Sequence, residues 1–308
     1  MADRVVVRSS ADNHVMFSCY KAYYPNAEEG ARAFYNHHHT ELEISAITGG
    51  KGVYTCGGVD YPFSPGDVFF HCGNDVHYFS NIEGPEHPAL IAIRFDSRFI
   101  WVPGGEFFDS KYLKLFTQPS SISRRIGADQ STAPIIAGLL EDIFNECRAQ
   151  QPAYDLLVKA KLLTILANMS RNFYKELEEI TAPAISEWHL ANMEKSMDYI
   201  LSHLESPLTL DDLAKVACMS RSYYSTMFKT LNGVSPWDYI TGQRIDLAQY
   251  RLEKPILEIS QSCGFNSIAN FNRAFKKLTG RTPREFRVMV ASNPRTHLIS
   301  NKKGGTGR

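Results

Sequence analysis

The chain is 308 residues long, 44% hydrophobic and 21% charged, with 33 Lys+Arg balanced by 33 Asp+Glu. At roughly 100 to 200 residues per domain, this suggests two domains, each large enough to bury a core. No apolar run approaches the roughly 20 residues that span a bilayer, no secretory leader pattern opens the chain, and the six cysteines form no C-x-x-C pair. These features argue against a membrane protein, a zinc ribbon and a dithiol redox motif, and they fit a reducing cytoplasm.

From Ala33 to Trp101 apolar and polar residues alternate between Gly, Pro and Asp turns, as in "GKGVYTCGGVDYPFSPGDVFFHCGNDVHYF". That is the pattern of a small antiparallel β-barrel. Within it His37, His39, Glu43, His77 and Asn81 offer imidazole, carboxylate and amide groups. Tyr54, Tyr61, Tyr78 and Trp101 offer amphipathic rings suited to a sugar or similar polar metabolite. Residues 134–148 and 154–177 then read as amphipathic helices long enough to pack on the barrel and on a second subunit. "EEITAPAISE", residues 178–187, reads as the linker.

Past the linker, Thr209 and Asp212 form a helix start, with Leu210, Leu213, Ala214 and Ala217 on one face. Cys218 and Met219 make a turn, Ser220 caps a second helix, and Tyr224, Met227, Phe228 and Leu231 repeat the same spacing. Two short helices joined by a tight turn form a helix-turn-helix. Ser235 and Pro236 open a longer helix, expected to run to about Lys254 and to span close to 30 Å at about 1.5 Å per residue. The hairpin is then written again. Pro255 precedes Ile256, Ile259, Ser260 and Cys263, Gly264 ends that helix, and Ser267 caps another with Phe271, Ala274, Phe275 and Leu278 inward. "FKTLNGVSP" at 228–236 and "FKKLTGRTP" at 275–283 mark the duplication.

The zero net charge hides a division: residues 1–185 carry 16 basic against 22 acidic side chains, and residues 186–308 carry 17 against 11. From Asn270 onward ten basic residues face a single acidic one, Glu285, the footprint of a surface that meets a polyanion. The outward faces of the two second helices present Ser222, Ser225, Thr226 and Lys229, and then Ala269, Asn272, Arg273 and Lys276. Arg273 suits guanine and Asn272 adenine, Lys276 suits phosphate, and the small hydroxyls of the first helix suit softer readout. Two such helices held by a strut can enter successive major grooves about 34 Å apart.

Residues 187–290 resemble the AraC/XylS family of transcriptional regulators. The motifs that carry the resemblance are R-x-x-L-A-x-x-x-L from Arg244 to Leu252 and GF-N-S-x-x-x-F-x-R-x-F-K-K-x-x-G-x-T-P-x-x-F-R from Gly264 to Arg287. Ser260 stands where the family usually has Ala, Tyr224 where it usually has Leu, and Ala269 where a larger residue is common. The resemblance implies an α+β chain. Residues 1–180 would form a cupin-like antiparallel β-barrel with two dimerisation helices, and 187–290 an all-α domain with two helix-turn-helix units. Residues 291–308 would form a disordered tail.

It further implies a homodimer that binds double-stranded operator or promoter DNA under a small-molecule effector, and meets RNA polymerase if it activates. His37, His39 and Glu43, with His77 and Asn81, also resemble the cupin metal motifs H-x-H-x-x-x-E and H-x-x-x-N. Cys72 and Asn74, however, stand where the second motif has proline and glycine. His37, His39, Glu43, Tyr54, His77 and Trp101 are therefore expected to contact an effector, with no cofactor and no catalysis. A metal-dependent cupin enzyme fused to a DNA-binding domain is the alternative. An alkyl-transfer repair protein is excluded by the lack of a cysteine cluster near the N-terminus.

Overall fold

A computed structural model describes residues 2–8, 15–24, 41–72, 75–99, 114–117, 122–179, 186–249 and 251–292. His37, His39, Trp101 and residues 293–308 of the expected tail lie outside the described residues, whereas Ala291 and Ser292, expected in that tail, belong to the last helix.

The first half is built from two antiparallel sheets. Strands β1 (Ala2–Arg8), β2 (Val15–Tyr23), β3 (Leu42–Gly49), β6 (Val68–His71), β8 (Ala89–Phe95) and β9 (Arg125–Ile126) form a six-stranded sheet in the order β1-β2-β8-β3-β6-β9. Strands β4 (Gly52–Cys56), β5 (Val59–Phe63) and β7 (His77–Ser80) form the second, in the order β5-β4-β7. Tyr20, Ile47, Phe69 and Leu90 from the large sheet meet Tyr54, Phe63 and Phe79 from the small one in an aromatic inter-sheet core. The other face of the large sheet carries Phe17, Leu42, Ile44, Phe70, Ile91, Ile93 and Phe95.

Helices α2 (Thr132–Ala149) and α3 (Tyr154–Asn172) cover that second face, with Ile136, Leu140, Ile143, Leu162, Ile165 and Met169 buried. Both sides of β3 and β8 are thus covered, and β8, ALIAIRF, reads accordingly as a near-continuous apolar run, whereas β3 keeps its alternation and carries Glu43 and Ser45 inward. A short helix, α1 (Lys114–Thr117), precedes them, and α4 (Tyr174–Glu179) follows before the linker.

The second half is helical: α5 (Glu187–Ser202), α6 (Leu210–Val216), α7 (Arg221–Asn232), α8 (Pro236–Gln249), α9 (Ile256–Ser262), α10 (Ile268–Thr279) and α11 (Pro283–Ser292). The sequence repeat becomes a structural one. The second helix of each hairpin ends on a left-handed glycine, Gly233 at φ 75° or Gly280 at φ 73°. A hydroxyl cap with Pro at the first helical position then starts the next helix: Ser235 receives the Asp238 amide at 3.1 Å, and Thr282 receives the Glu285 amide at 3.3 Å.

The turns inside the two hairpins share a backbone as well. Cys218 at φ 54° and Gly264 at φ 78° are both left-handed, and the next amides, Met219 and Phe265, reach back to the Ala214 and Ser260 carbonyls at 2.9 and 3.1 Å. Glycine is required only at the second, where a Cβ would lie 2.2 Å from the Leu204 carbonyl oxygen and 2.9 Å from the Arg244 guanidinium.

The strut is shorter than its sequence suggests. Helix α8 ends at Gln249 after 14 residues, about 21 Å rather than 30. Beyond it the chain tightens: Arg251 and Lys254 amides bond three residues back, while the Arg251 guanidinium is held by the Ser262 carbonyl at 2.8 Å and by Glu205. Leu252 is thereby turned into the core of the second hairpin with Ile245, Ile259, Phe271, Phe275 and Leu278. Tyr224, unusual for its position, is fully buried, and its hydroxyl accepts from Ser196 Oγ at 2.9 Å, so the larger ring's polar end is not stranded in the core.

Candidate functional site

Alternation places a set of polar side chains on the inner face of the large sheet. Glu43 lies directly across from Arg94 on β8 and from His71 on β6. Arg94 Nε donates to Glu43 Oε2 at 2.6 Å, and Tyr20 Oη donates to the same oxygen at 2.9 Å. The Arg94 guanidinium also lies 5.0 Å from the Tyr20 ring centroid. Burial opposes the Arg94 charge, but the surrounding acidic groups outweigh it and hold its proton more tightly than in a free guanidinium. Glu43 is almost wholly enclosed, so the carboxylate depends on these partners.

The small sheet closes over this pair. Tyr54 Oη lies 3.0 Å from His71 Nε2, and Cys56 Sγ lies 2.9 Å from His71 Nδ1. Burial pushes the Tyr54 phenol and the Cys56 thiol well above their ordinary values, so both keep their protons at neutral pH. His77 stacks on His71 with ring centroids 4.2 Å apart, and its Nδ1 donates to the Asp75 carbonyl at 2.9 Å. That bond makes Nδ1 a donor, so in a neutral ring Nε2 carries the lone pair.

Of the expected effector contacts, Glu43, Tyr54 and His77 are brought together; His37, His39 and Trp101 lie outside the described residues. Tyr20, His71 and Arg94 were not foreseen, because nothing in the sequence says which strands pair. Tyr78 alternates with His77 and faces the other side of β7. Tyr61 instead accepts the Arg124 amide at 3.3 Å.

Glu43, His71 and His77 each offer a ligand atom within 4.8 Å of the others. A divalent cation there would share the Glu43 carboxylate with Arg94 and Tyr20, which both bond its Oε2, and it would sit beside a buried guanidinium. Like-charge repulsion in a low-dielectric interior works against it. The same side chains offer donors and acceptors for hydrogen bonds to an organic molecule.

The sheet half meets the helical half past the end of β8. Beyond β8, Tyr239 Oη donates to Asp96 Oδ2 at 3.2 Å, Ser97 Oγ donates to Asn232 Oδ1 at 2.8 Å, and Arg98 Nη1 donates to Asp198 Oδ1 at 2.8 Å. Leu115 and Phe116 of α1 join Tyr224, Phe228, Leu231 and Tyr239 in one continuous core with the sheet. The first hairpin is therefore joined to the sheet half, whereas the second keeps a separate core.

On the outward faces of α7 and α10, Ser222, Thr226, Lys229, Asn272, Arg273 and Lys276 are exposed, with Ser225 half-buried. Thr226 donates its hydroxyl to the Ser222 carbonyl at 3.0 Å, so its free valence is that of an acceptor. Ser220 and Ser267 cap α7 and α10 by accepting the amides three residues on, which leaves both N-termini at the surface.

A ligand-binding sheet module joined to a duplicated helix-turn-helix reader defines a ligand-responsive DNA-binding regulator. Residues 15–166 match the family model of the AraC-like ligand binding domain, and residues 213–289 match that of a helix-turn-helix domain. The chain is 32% identical over 102 residues to the regulatory protein SoxS of Escherichia coli K12, covering 95% of that protein and 32% of this one. It is 27% identical over 254 residues to the Msm operon regulatory protein of Streptococcus mutans, covering 85% of that protein and 81% of this one. Across the curated relatives the covered share varies, falling to 41% of one of them. The chain belongs to the AraC/XylS family of transcription regulators. Its fold is similar to that of a single-residue variant of apo ToxT from Vibrio cholerae, with a TM-score of 0.54 at 15% identity over 90% of this chain and 99% of that one.

Proposed function

We propose that this regulator is a cytoplasmic homodimer that binds operator or promoter DNA through Ser222, Ser225, Thr226 and Lys229 of α7 and Asn272, Arg273 and Lys276 of α10. Its effector is a small polar organic molecule, with a sugar as the best fit, held among Glu43, Tyr54, His71, His77 and Arg94. Aromatic rings beside fixed hydroxyl, imidazole and guanidinium groups supply both the apolar faces and the directional bonds such a ligand needs. The observation that carries this reading is that β3 and β8 bear the buried cluster at Glu43 and Arg94 and, past the end of β8, the Asp96 and Ser97 contacts to the reader. An effector that re-pairs Glu43 or Arg94 shifts the strands on which the first hairpin is docked. The cluster is a recognition site and performs no catalysis. No helix among the described residues is long and apolar enough to cross a membrane. Activation, where it occurs, runs through contact with RNA polymerase.

A thermal-shift screen of polar metabolites against the full chain tests the effector site, because a ligand bound only by the folded state raises the melting temperature. The expected hit loses most of its shift in His77→Ala, while unliganded DNA affinity stays nearly unchanged. A hit indifferent to both His77→Ala and Tyr54→Phe places the effector elsewhere. Protein purified with one metal ion per chain, whose removal abolishes the response, brings back the enzyme alternative.

The dimer is assigned to the outward stripe of α3. Leu157, Ala160, Thr164, Ala167 and Arg171 are exposed at alternating spacings of three and four, and the small side chains in the middle let a second helix approach closely. Sedimentation at micromolar concentration should give a dimer for the wild type and a monomer for Ala160→Glu. A monomeric wild type contradicts the assignment.

A further inference from the structure

Helix α10 begins with two apolar residues that its own core does not use. Ile268 is 41% exposed at the first helical position, and Ala269 beside it is also exposed. The core of this hairpin is filled without them, by Phe271, Phe275 and Leu278 from α10, with Phe265, Ala274 and Phe286 packed against it. At about 100° per residue, Ile268 leads a row that continues with Asn272 and Lys276, and Ala269 leads the adjacent row to Arg273. The two apolar side chains thus occupy the N-terminal end of the face that carries the proposed base readers. That end of a recognition helix contacts base edges.

We propose that Ile268, with Ala269 alongside, reads thymine C5 methyl groups in the major groove. An isoleucine offers no donor or acceptor, so against any base edge but one it would bury polar atoms unpaired. Thymine alone among the unmodified bases presents a methyl group there. Asn272 lies one turn further along the same row, about 6 Å away, close to two base-pair steps. The half-site read by α10 is therefore composite: thymine methyls next to the purines taken by Asn272 and Arg273. The first hairpin has no such element. Its equivalent position is Arg221, which pairs with Asp211 at 3.2 Å, so the two half-sites differ in chemistry. This inference rests on α10 being the reading helix of its hairpin.

The test uses the full chain and a duplex selected by it from a random pool. Each thymine is replaced in turn by deoxyuridine, which removes the methyl and leaves base pairing intact. Wild type should lose about fourfold in affinity at one or two neighbouring positions, the value of one buried methyl at roughly 0.8 kcal/mol. Ile268→Ala, whose side chain is outside the core and whose circular dichroism should match wild type, should bind the thymine and deoxyuridine duplexes alike at those positions. Uniform tolerance of deoxyuridine, or an undiminished loss in Ile268→Ala, overturns methyl readout. If that happens while Arg273→Ala still loses sequence preference, α10 remains the reader. If Arg273→Ala keeps full preference, the reading of α10 itself falls.

Discussion

Replacing Arg94 with methionine is expected to destabilise the protein by about 3–5 kcal/mol, the cost of breaking a buried ion pair from one side. Glu43 is 1% exposed and Arg94 16%, and the single oxygen Glu43 Oε2 takes both the 2.6 Å guanidinium bond and the 2.9 Å Tyr20 hydroxyl bond. Methionine fills most of the volume and leaves the carboxylate with Tyr20 as its remaining donor of that pair. The double variant Glu43→Gln with Arg94→Met should recover most of the loss, because it removes the stranded charge along with its partner. Urea unfolding decides this. The midpoint should fall at unchanged slope for the single variant and return for the double one. A single variant within about 1 kcal/mol of wild type would mean that the pair is hydrated and that the cluster is open to solvent.

Arg273→Ala is expected to cost roughly 1–3 kcal/mol on the selected site and to relax preference at one base pair, as the loss of a bidentate guanine contact should. Lys276 sits one turn nearer the C-terminus on the same exposed face, where a flexible ammonium meets phosphate. Lys276→Ala should therefore weaken all sequences alike and lower the slope of log affinity against log salt by about one. The contrast between the two carries the information. Equal losses on selected and random DNA for both variants would remove Arg273 from base readout.

The helical half was the more legible from sequence. Tyr224, Met227, Phe228 and Leu231, and likewise Phe271, Phe275 and Leu278, repeat at helical spacing, and every one of them is buried. Ser220, Ser267, Gly233 and Gly280 mark their helix ends by local chemistry alone. The end of the strut was less legible, because what stops it at Gln249 is tertiary: Arg251 is drawn to Ser262 and Glu205, residues distant in sequence.

The sensor site was half legible. Glu43 and His77 stood out by type and Tyr54 by amphipathic character, but Arg94 and His71 become neighbours of Glu43 only through the registers of β3 with β8 and β6. Register depends on long-range pairing, which a strand's own alternation cannot specify. The junction at Ser97, Asn232 and Tyr239 was invisible for the same reason, since it joins residues 135 and more positions apart.

A regulator of this class acts through sequence-specific binding by the intact chain. Titrating full-length protein onto its selected duplex and onto a scrambled duplex of equal length, across a salt series, measures this directly. The expected preference for the selected site is about 10³-fold or more, with log affinity for both falling linearly in log salt. Equal affinity for the two duplexes at every salt concentration would contradict it.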